Sequence, residues 1–198
     1  MASHDQSLDE APLREFPIAP GGKLTEAEFV AWCDEDTRAE WVDGEVIMMS
    51  PANIEHLLLE SWLHAVLRQF TEWHGLGIVL DNAQVRLANQ ARRRVPDLVF
   101  LCKDRLDLLK HAHIEGAPDL IVEIVSPDSQ SRDWREKYLD YQAAGVREYW
   151  VIDPMSQHAE VYALPVGAEC NWTALMGCPS ATSLATARAS PRAHSRAR

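Results

Sequence analysis

The sequence predicts an α/β protein in which helices flank a mixed β-sheet. The apolar run LIVEIV, bounded by prolines, is typical of a strand at 119–126 that is buried on both faces. The segment SRDWREKYLDYQAAG at 131–145 has helical spacing and ends in glycine, and a second strand-like segment follows at 148–153. A strand, a helix and a strand favour a right-handed crossover, so the two strands are expected to run parallel.

Turn, capping and periodicity signals predict the other elements. Thr25 and Glu28 form the capping box of a short helix, and Asp43 with Gly44 forms the two-residue turn of a hairpin. Apolar residues recur with helical spacing from about 53 to 74, which predicts a long amphipathic helix. Three strand-like pieces between 77 and 101, a short helix near 104–110 and a strand at 158–164 complete the prediction.

Length and composition indicate one folded domain with loose ends. The chain has 198 residues, of which 46% are hydrophobic, enough for one core. We expect a flexible arm at 1–22, a domain at 23–165, and a disordered Ala, Ser and Arg-rich tail at 166–198. The sequence shows neither a leader peptide nor an apolar run long enough for a membrane helix, so we expect a cytoplasmic protein without a membrane partner.

The charge of the body is strongly acidic. The chain carries −11, and because the tail holds four Arg against one Glu, residues 1–165 carry −14. Such a field slows association with phosphate unless a local basic strip or bound cations offset it. The charge therefore argues against a non-specific DNA-binding protein.

Two carboxylates are embedded in apolar strands. Alternation places Glu123 on one face with Ile121, and in VPDLVFL it groups Asp97 with Val99. An ionised side chain in an apolar interior must be paired, bind a metal or take up a proton. Each carboxylate alone is explained by an ion pair with Lys137 or one of the arginines at 92–94, but together they predict a shared site.

A lysine in the following helix completes this constellation. On a helical wheel, Lys137 falls within the apolar stripe formed by Tyr138 and Tyr141, where it either extends past the tyrosines to solvent or reaches Glu123 and Asp97. Two acids and a lysine suit a Mg²⁺ or Mn²⁺ site that hydrolyses a phosphodiester. The lysine then positions the nucleophile or balances negative charge in the transition state.

Further residues are weaker candidates for the same site. His56 lies on the apolar side of the long helix, as a metal ligand or as a core histidine. Glu45 supplies another carboxylate or only closes the hairpin. The basic run, consisting of Arg92, Arg93 and Arg94, contacts phosphates or forms a solvated loop.

The order of these motifs resembles the Uma2 family of the PD-(D/E)XK nuclease superfamily. The resemblance rests on DGEVIMMSP, a helical His, VPDLVF, GAPDLIVEIVSP, a helical Lys and GVREYWVIDP, from about Leu24 to Leu164. It implies a restriction-endonuclease-like core, a divalent metal and DNA endonuclease activity. Family members usually continue with further β structure where this chain has its Ala, Ser and Arg-rich tail.

The resemblance also implies roles for single residues. Asp97 matches the metal-binding Asp of the superfamily, and Glu123 matches the acid of the (D/E)XK motif. The lysine of that motif would fall at Val125, and Lys137 fits the migrated position that Uma2-like sequences use. His56 resembles a first-helix His that some members use as a metal ligand.

These observations favour a Mg²⁺- or Mn²⁺-dependent endonuclease that cuts DNA as a homodimer. The alternative is a catalytically inactive binding or assembly protein with the same fold, which the acidic body favours. Glycoside hydrolysis by the paired carboxylates is a third possibility, but it gives Lys137 no role.

Overall fold

A computed structural model describes residues 21–34, 37–126 and 132–163, the last range without the side chains of 132–134. The expected tail at 166–198 and nearly all of the expected arm at 1–22 lie outside the described residues. Within the described ranges, no helix combines the length and the apolar character that crossing a membrane requires.

Three α-helices form among the described residues, where capping and periodicity predict them. Thr25 and Glu28 make the reciprocal capping box in front of the first helix. Asn53 caps the second helix by accepting from the His56 N–H, and this helix ends at Gly75 in the left-handed conformation. The α-helices are α1 (Glu26–Trp32), α2 (Ile54–His74) and α3 (Arg132–Ala144), and 3-10 helices span Ala88–Gln90 and Lys103–Leu108.

Within the part of the chain that the structure describes, ten strands form two mixed sheets, where the sequence predicts one. The first sheet has the order β2-β1-β5-β4-β7 and the second has the order β10-β9-β8-β6-β3. The strands are β1 (Ala39–Val42), β2 (Glu45–Met48), β3 (Gly77–Asp81), β4 (Val85–Leu87), β5 (Arg92–Arg94), β6 (Leu98–Cys102), β7 (Ile114–Glu115), β8 (Leu120–Ile124), β9 (Glu148–Asp153) and β10 (His158–Ala163). The three pieces predicted between 77 and 101 are four strands, because β4 and β5 are too short for periodicity to separate them.

The predicted hairpin and crossover are both confirmed. Asp43 and Gly44 have φ values of 51° and 92°, as the tight turn between β1 and β2 requires. Strands β8 and β9, which α3 separates in the sequence, pair directly with each other in parallel, with Glu123 opposite Val151. The crossover is the part of the fold that brings α3 next to β8.

The second sheet is packed on both faces. Leu98 and Leu120 contact Leu63 and Leu67 of α2 on one side. On the other side, Ile121 packs with Tyr141 of α3 and with Val85 and Leu87 of the first sheet. Because side chains alternate along β8, Glu123 follows Ile121 toward α3, as the sequence predicts.

Candidate active site

A cavity of about 260 Å³ opens where β6 begins and β8 ends. These two ends meet because the strands are antiparallel, with Leu98 opposite Val122. The cavity brings together acidic, basic and imidazole side chains from four elements and from the residues directly before β1 and β6. Its ionisable lining consists of Arg38, Glu40, His56, Glu60, Asp97, Glu123 and Lys137.

Asp97 lies just before β6 and is fixed through both carboxylate oxygens. Its Oδ2 accepts the Ile124 N–H at 2.6 Å, which ties it to the end of β8. Its Oδ1 lies 3.1 Å from His56 Nε2. Asp97 is 7% exposed, so this carboxylate has left bulk water and depends on these two partners.

His56 and Glu60 approach Asp97 from α2, one helical turn apart. His56 Nε2 lies 3.6 Å from Glu60 Oε2, and the other oxygen of Glu60 accepts from Asn82 Nδ2 at 2.7 Å. Hydrogen bonds to Asp97 and Glu60 outweigh burial and raise the pKa of His56 to about 9. The two carboxylates therefore favour positive charge at the position of this imidazole.

This donor set suits a divalent cation. One ligand atom each from His56, Glu60 and Asp97 lies within 4.8 Å of the others, and all three residues are buried. Two carboxylates and an imidazole are hard and intermediate ligands of the kind that Mg²⁺ and Mn²⁺ accept. His56 Nδ1 is buried without a hydrogen-bond partner among the described residues, so Nε2 is the ring nitrogen that contacts the carboxylates.

Glu123 lies on the other side of the cavity and is held by α3. Its Oε2 accepts from Lys137 Nζ at 3.1 Å, and its Oε1 accepts from the Tyr141 hydroxyl at 2.8 Å. Burial raises the pKa of Glu123 to about 7, and Lys137 opposes this while Asp97 and Glu40 add to it. The carboxyl group therefore gains or loses its proton near neutral pH.

Glu40 of β1 is a further carboxylate in this part of the cavity. Its Oε1 lies 3.3 Å from Lys137 Nζ and accepts the Val95 N–H at 3.1 Å, and its Oε2 accepts from Arg94 at 2.8 Å. Burial raises the pKa of Glu40, but Lys137 and Arg94 outweigh it and hold the pKa below its usual value. Glu40 therefore stays ionised and ties Lys137 to the first sheet.

The structure brings Asp97, Glu123, Lys137 and His56 together in one cavity, as the sequence analysis expects. It does not bring Glu45 there: this residue begins β2, is exposed and is absent from the cavity lining. Position 45 is directed to solvent because it directly follows the tight turn. The hairpin residue that faces Lys137 is Glu40 of β1.

The basic run at 92–94 is neither a solvated loop nor a free phosphate-binding strip. It forms β5, where Arg93 pairs with Glu26 at 2.8 Å and Arg94 pairs with Asp140 at 2.7 Å. Arg92 pairs with Asp140, and also with Asp43 at 2.8 Å. Carboxylates from distant parts of the chain thus neutralise this run and draw it into the interior.

Sequence reasoning misses Glu40, Glu60 and Asn82, although two of them carry a signal. Glu60 follows His56 by four residues, so both occupy one face of α2. Glu40 lies in AEWV, a strand buried at all four positions, and a carboxylate there needs a partner for the same reason as Glu123 does. Asn82 follows β3 in a left-handed turn that asparagine commonly occupies, so nothing local marks it as part of the site.

The fold is that of a nuclease-like α/β protein, and comparisons with known proteins agree. The sequence model of the Uma2 family, described as "Putative restriction endonuclease", matches residues 26–180. Because this match covers most of the chain, the protein belongs to the Uma2 family.

One solved structure supports the same fold. The chain is similar to the crystal structure of "a putative nuclease belonging to DUF820 from Anabaena variabilis ATCC 29413", with a TM-score of 0.63 and 21% sequence identity. The likeness covers 74% of this chain and 83% of the other. At this identity the comparison establishes the fold alone, and no curated protein matches the chain significantly.

Proposed function

We propose that the protein is a metal-dependent endonuclease that hydrolyses phosphodiester bonds of DNA. The observation that carries the proposal is one cavity with two adjoining clusters, the buried donors His56, Glu60 and Asp97 and the ion-paired Glu123 and Lys137. Membership in a family described as putative restriction endonucleases supports the same reaction class. DNA as substrate and Mg²⁺ or Mn²⁺ as the ion are parts of the proposal.

Asp97, His56 and Glu60 would hold the ion, with Glu123 as a further ligand or as a base beside it. When bound, a divalent ion supplies Lewis-acid stabilisation of the phosphate and lowers the pKa of a coordinated water. His56 would bind an ion through a neutral Nε2, so this ring would have to lose the proton that Asp97 and Glu60 favour.

The chain's own residues supply the proton transfer and the charge balance. Glu123, held by Lys137 and Tyr141, accepts a proton from the attacking water as the new P–O bond forms and the P–O bond to the leaving group breaks. Lys137 balances the negative charge that grows on the phosphate. Glu40 does not touch the substrate in this scheme and acts by positioning Lys137.

Cutting both strands of a duplex requires two such sites, and we therefore expect a homodimer. The arginines at 92–94 serve the fold in this proposal, because their charges are already matched by carboxylates. Cations recruited by the acidic body then offset repulsion from the nucleic acid, so activity should depend on the divalent ion for binding as well as chemistry.

One observation favours the alternative of an inactive binding protein. Both oxygens of Glu123 already have partners in Lys137 and Tyr141, so a structural ion pair accounts for this carboxylate without any ion. His56, Glu60 and Asp97 form the donor cluster. Measuring both metal binding and cleavage for variants of these residues separates the two functions.

The test is cleavage of supercoiled plasmid with Mg²⁺ or Mn²⁺ and with chelator. We expect nicked or linear product only with the ion, and a loss of at least about a hundredfold in rate for Asp97→Asn, because this change removes an anionic ligand. Glu45→Gln is the matched control, because this exposed carboxylate lies outside the cavity, and it should cleave like wild type. A folded wild-type protein that shows no cleavage with either ion favours the binding protein, and equal cleavage by Asp97→Asn rejects the site.

A further inference from the structure

Helix α2 is apolar on two opposite sides. Its inner side packs Leu63 and Leu67 against the second sheet. Its outer side carries large apolar side chains spaced by four, four, four and seven residues, which places them on one stripe. This outer stripe consists of Ile54 (70% exposed), Leu58 (68%), Trp62 (61%), Val66 (44%) and Trp73 (82%). A helix that is apolar on both sides is normally covered on both sides.

The outer stripe is as large as one half of a specific interface. With these exposures, the five side chains present roughly 650 Å² of apolar surface, more than the few hundred Å² typical of the largest patch on a monomer. A standard interface buries roughly 800 Å² per partner, and the rim of such a contact would supply the remainder. Two tryptophans within the stripe match the residue type that dominates binding energy at interface centres.

The composition of the outer stripe favours a protein as its binding partner, rather than a nucleic acid or a membrane. Between Leu58 and Gln69 its exposed positions are uncharged, namely Leu58, Trp62, Ala65, Val66 and Gln69, while the exposed Glu55 lies on the same side near the start of the helix. Arg68 at its margin is paired with Glu72 at 2.7 Å. A nucleic acid or an anionic membrane requires basic residues, whereas residues 1–165 carry −14. A like-charged protein can approach the middle of the stripe without desolvating an acidic group, since Glu55 and Glu72 lie toward its two ends.

We propose that the outer stripe of α2 binds the outer stripe of a second copy of this chain, with the two helices antiparallel. Apart from Leu57 on a different side of α2, the remaining exposed large apolar residues of the described ranges lie singly or in pairs on other elements. No second patch of this size is therefore available there for a head-to-tail contact. An isologous contact needs only one patch that complements itself. The stripe is centred near Ala65, which places the two-fold axis close to this residue.

The proposed function already expects a homodimer, and this proposal adds the surface that forms it. The surface is argued from α2 alone and its test does not require catalysis, because the outer stripe and the cavity lie on different sides of α2. His56 and Glu60 belong to the inner side, together with Leu63 and Leu67. A failure of catalysis therefore leaves the dimer intact, and a failure of dimerisation leaves the metal ligands intact.

The first test is the molar mass of the full chain by light scattering over a dilution series. We expect about twice the chain mass of 22.3 kDa for wild type, and a shift to one chain mass for Trp62→Glu. Val161→Glu is the matched control, because Val161 is 60% exposed on β10 and receives the same charge. Trp73→Glu at the end of the stripe, with a folded circular-dichroism spectrum, guards against a folding defect of the first variant. A wild type that stays at one chain mass at every concentration overturns the proposal.

The second test fixes the orientation of the two helices. Ala65→Cys lies near the proposed axis and should form a disulfide-linked dimer under mild oxidation, above the background of wild type. Ile54→Cys at the end of the stripe should not link to its own counterpart, because antiparallel helices place the two copies of residue 54 at opposite ends. Efficient linking through Ile54→Cys, or a dimer that both Trp62→Glu and Val161→Glu leave unchanged, contradicts this interface.

Discussion

Lys137 lies between two carboxylates, and this arrangement explains why a lysine occupies the apolar face of α3. Its Nζ is 3.1 Å from Glu123 and 3.3 Å from Glu40, and the residue is 8% exposed. Glu40 is itself fixed by Arg94 and the Val95 N–H. Lys137 is thus held between the two sheets, and its position depends on a residue that lies outside the donor cluster.

Replacing Glu40 should slow cleavage without removing the metal. We expect Glu40→Gln to reduce the rate about tenfold, because Lys137 loses one of its two charged anchors and its ammonium group is less well placed. Mn²⁺ affinity should change by less than about twofold, since His56, Glu60 and Asp97 keep their charges. Plasmid cleavage and calorimetric Mn²⁺ titration on the same preparations measure the two effects.

A double variant distinguishes positioning from general destabilisation. If Glu40 acts through Lys137, the rate of Glu40→Gln with Lys137→Met should equal that of Lys137→Met alone. Rate losses that multiply would contradict the positioning role, and so would a loss of Mn²⁺ binding in Glu40→Gln.

At the scale of single residues, strand and helix periodicity predict half of the site. Alternation in β8 correctly places Glu123 on the same face of the strand as Ile121. The helical wheel correctly directs Lys137 toward the sheet. Glu40 is missed as a partner because its ionic contacts join residues 54 and 97 positions apart in the chain. Local periodicity carries no information about contacts at that separation.

At the scale of elements, β5 shows where charge patterning misleads. Three consecutive arginines normally indicate a solvated segment, yet β5 pairs with both β1 and β4 in the first sheet. The arginines enter the sheet because acidic residues from α1, β1 and α3 meet them there. A sequence pattern cannot predict this, because the burial of each charge depends on a partner that only the fold supplies.

The ion pairs between these arginines and their acidic partners also predict how the free energy of unfolding depends on pH. Hydrogen bonds from Arg86 and Arg93 outweigh burial and lower the pKa of Glu26 from 4.5 to about 2. A carboxyl group with a lowered pKa stabilises the fold in its ionised form above about pH 4.5, and this contribution is lost as the pH falls toward about 2. Because Glu26 remains partly exposed, solvent screening reduces its contribution to about 1–2 kcal/mol.

Glu26→Gln should therefore lower the free energy of unfolding by about 1–2 kcal/mol at pH 7, and the difference from wild type should shrink as the pH falls below about 4.5. Urea denaturation at several pH values measures this. Glu45→Gln, an exposed carboxylate on β2, should change stability by less than about 0.5 kcal/mol at pH 7. A Glu26→Gln deficit that is constant from pH 7 to pH 3 would contradict the ionic origin.

At the scale of the whole molecule, the α/β class and the β8–α3–β9 crossover follow from the sequence, while the division into two sheets does not. The crossover is predictable because LIVEIV and the following helix are long and strongly patterned. The first sheet is built from strands of two to four residues, too short for a period of two to be distinguished from chance. Its assembly depends on long-range ion pairs and on the contact of Val85 and Leu87 with the main core.

The acidic charge of the molecule also takes on meaning at this scale. A body with −14 opposes nucleic acid, yet the cavity gathers carboxylates that would favour bound cations. Divalent ions therefore have two roles in this account, in the reaction and in making the cavity less repulsive to phosphate. The uncharged outer stripe of α2 is the surface through which two such acidic bodies can meet.

The central claim is that His56, Glu60 and Asp97 hold a divalent ion, and calorimetric titration of Mn²⁺ tests it most directly. We expect saturable binding of about one ion per chain to wild type, with at least about tenfold weaker binding for Asp97→Asn. His64→Ala, which removes a histidine from the same helix outside the donor cluster, should bind like wild type. Saturable binding that Asp97→Asn leaves unchanged, or a folded wild type that binds no Mn²⁺, would contradict the claim.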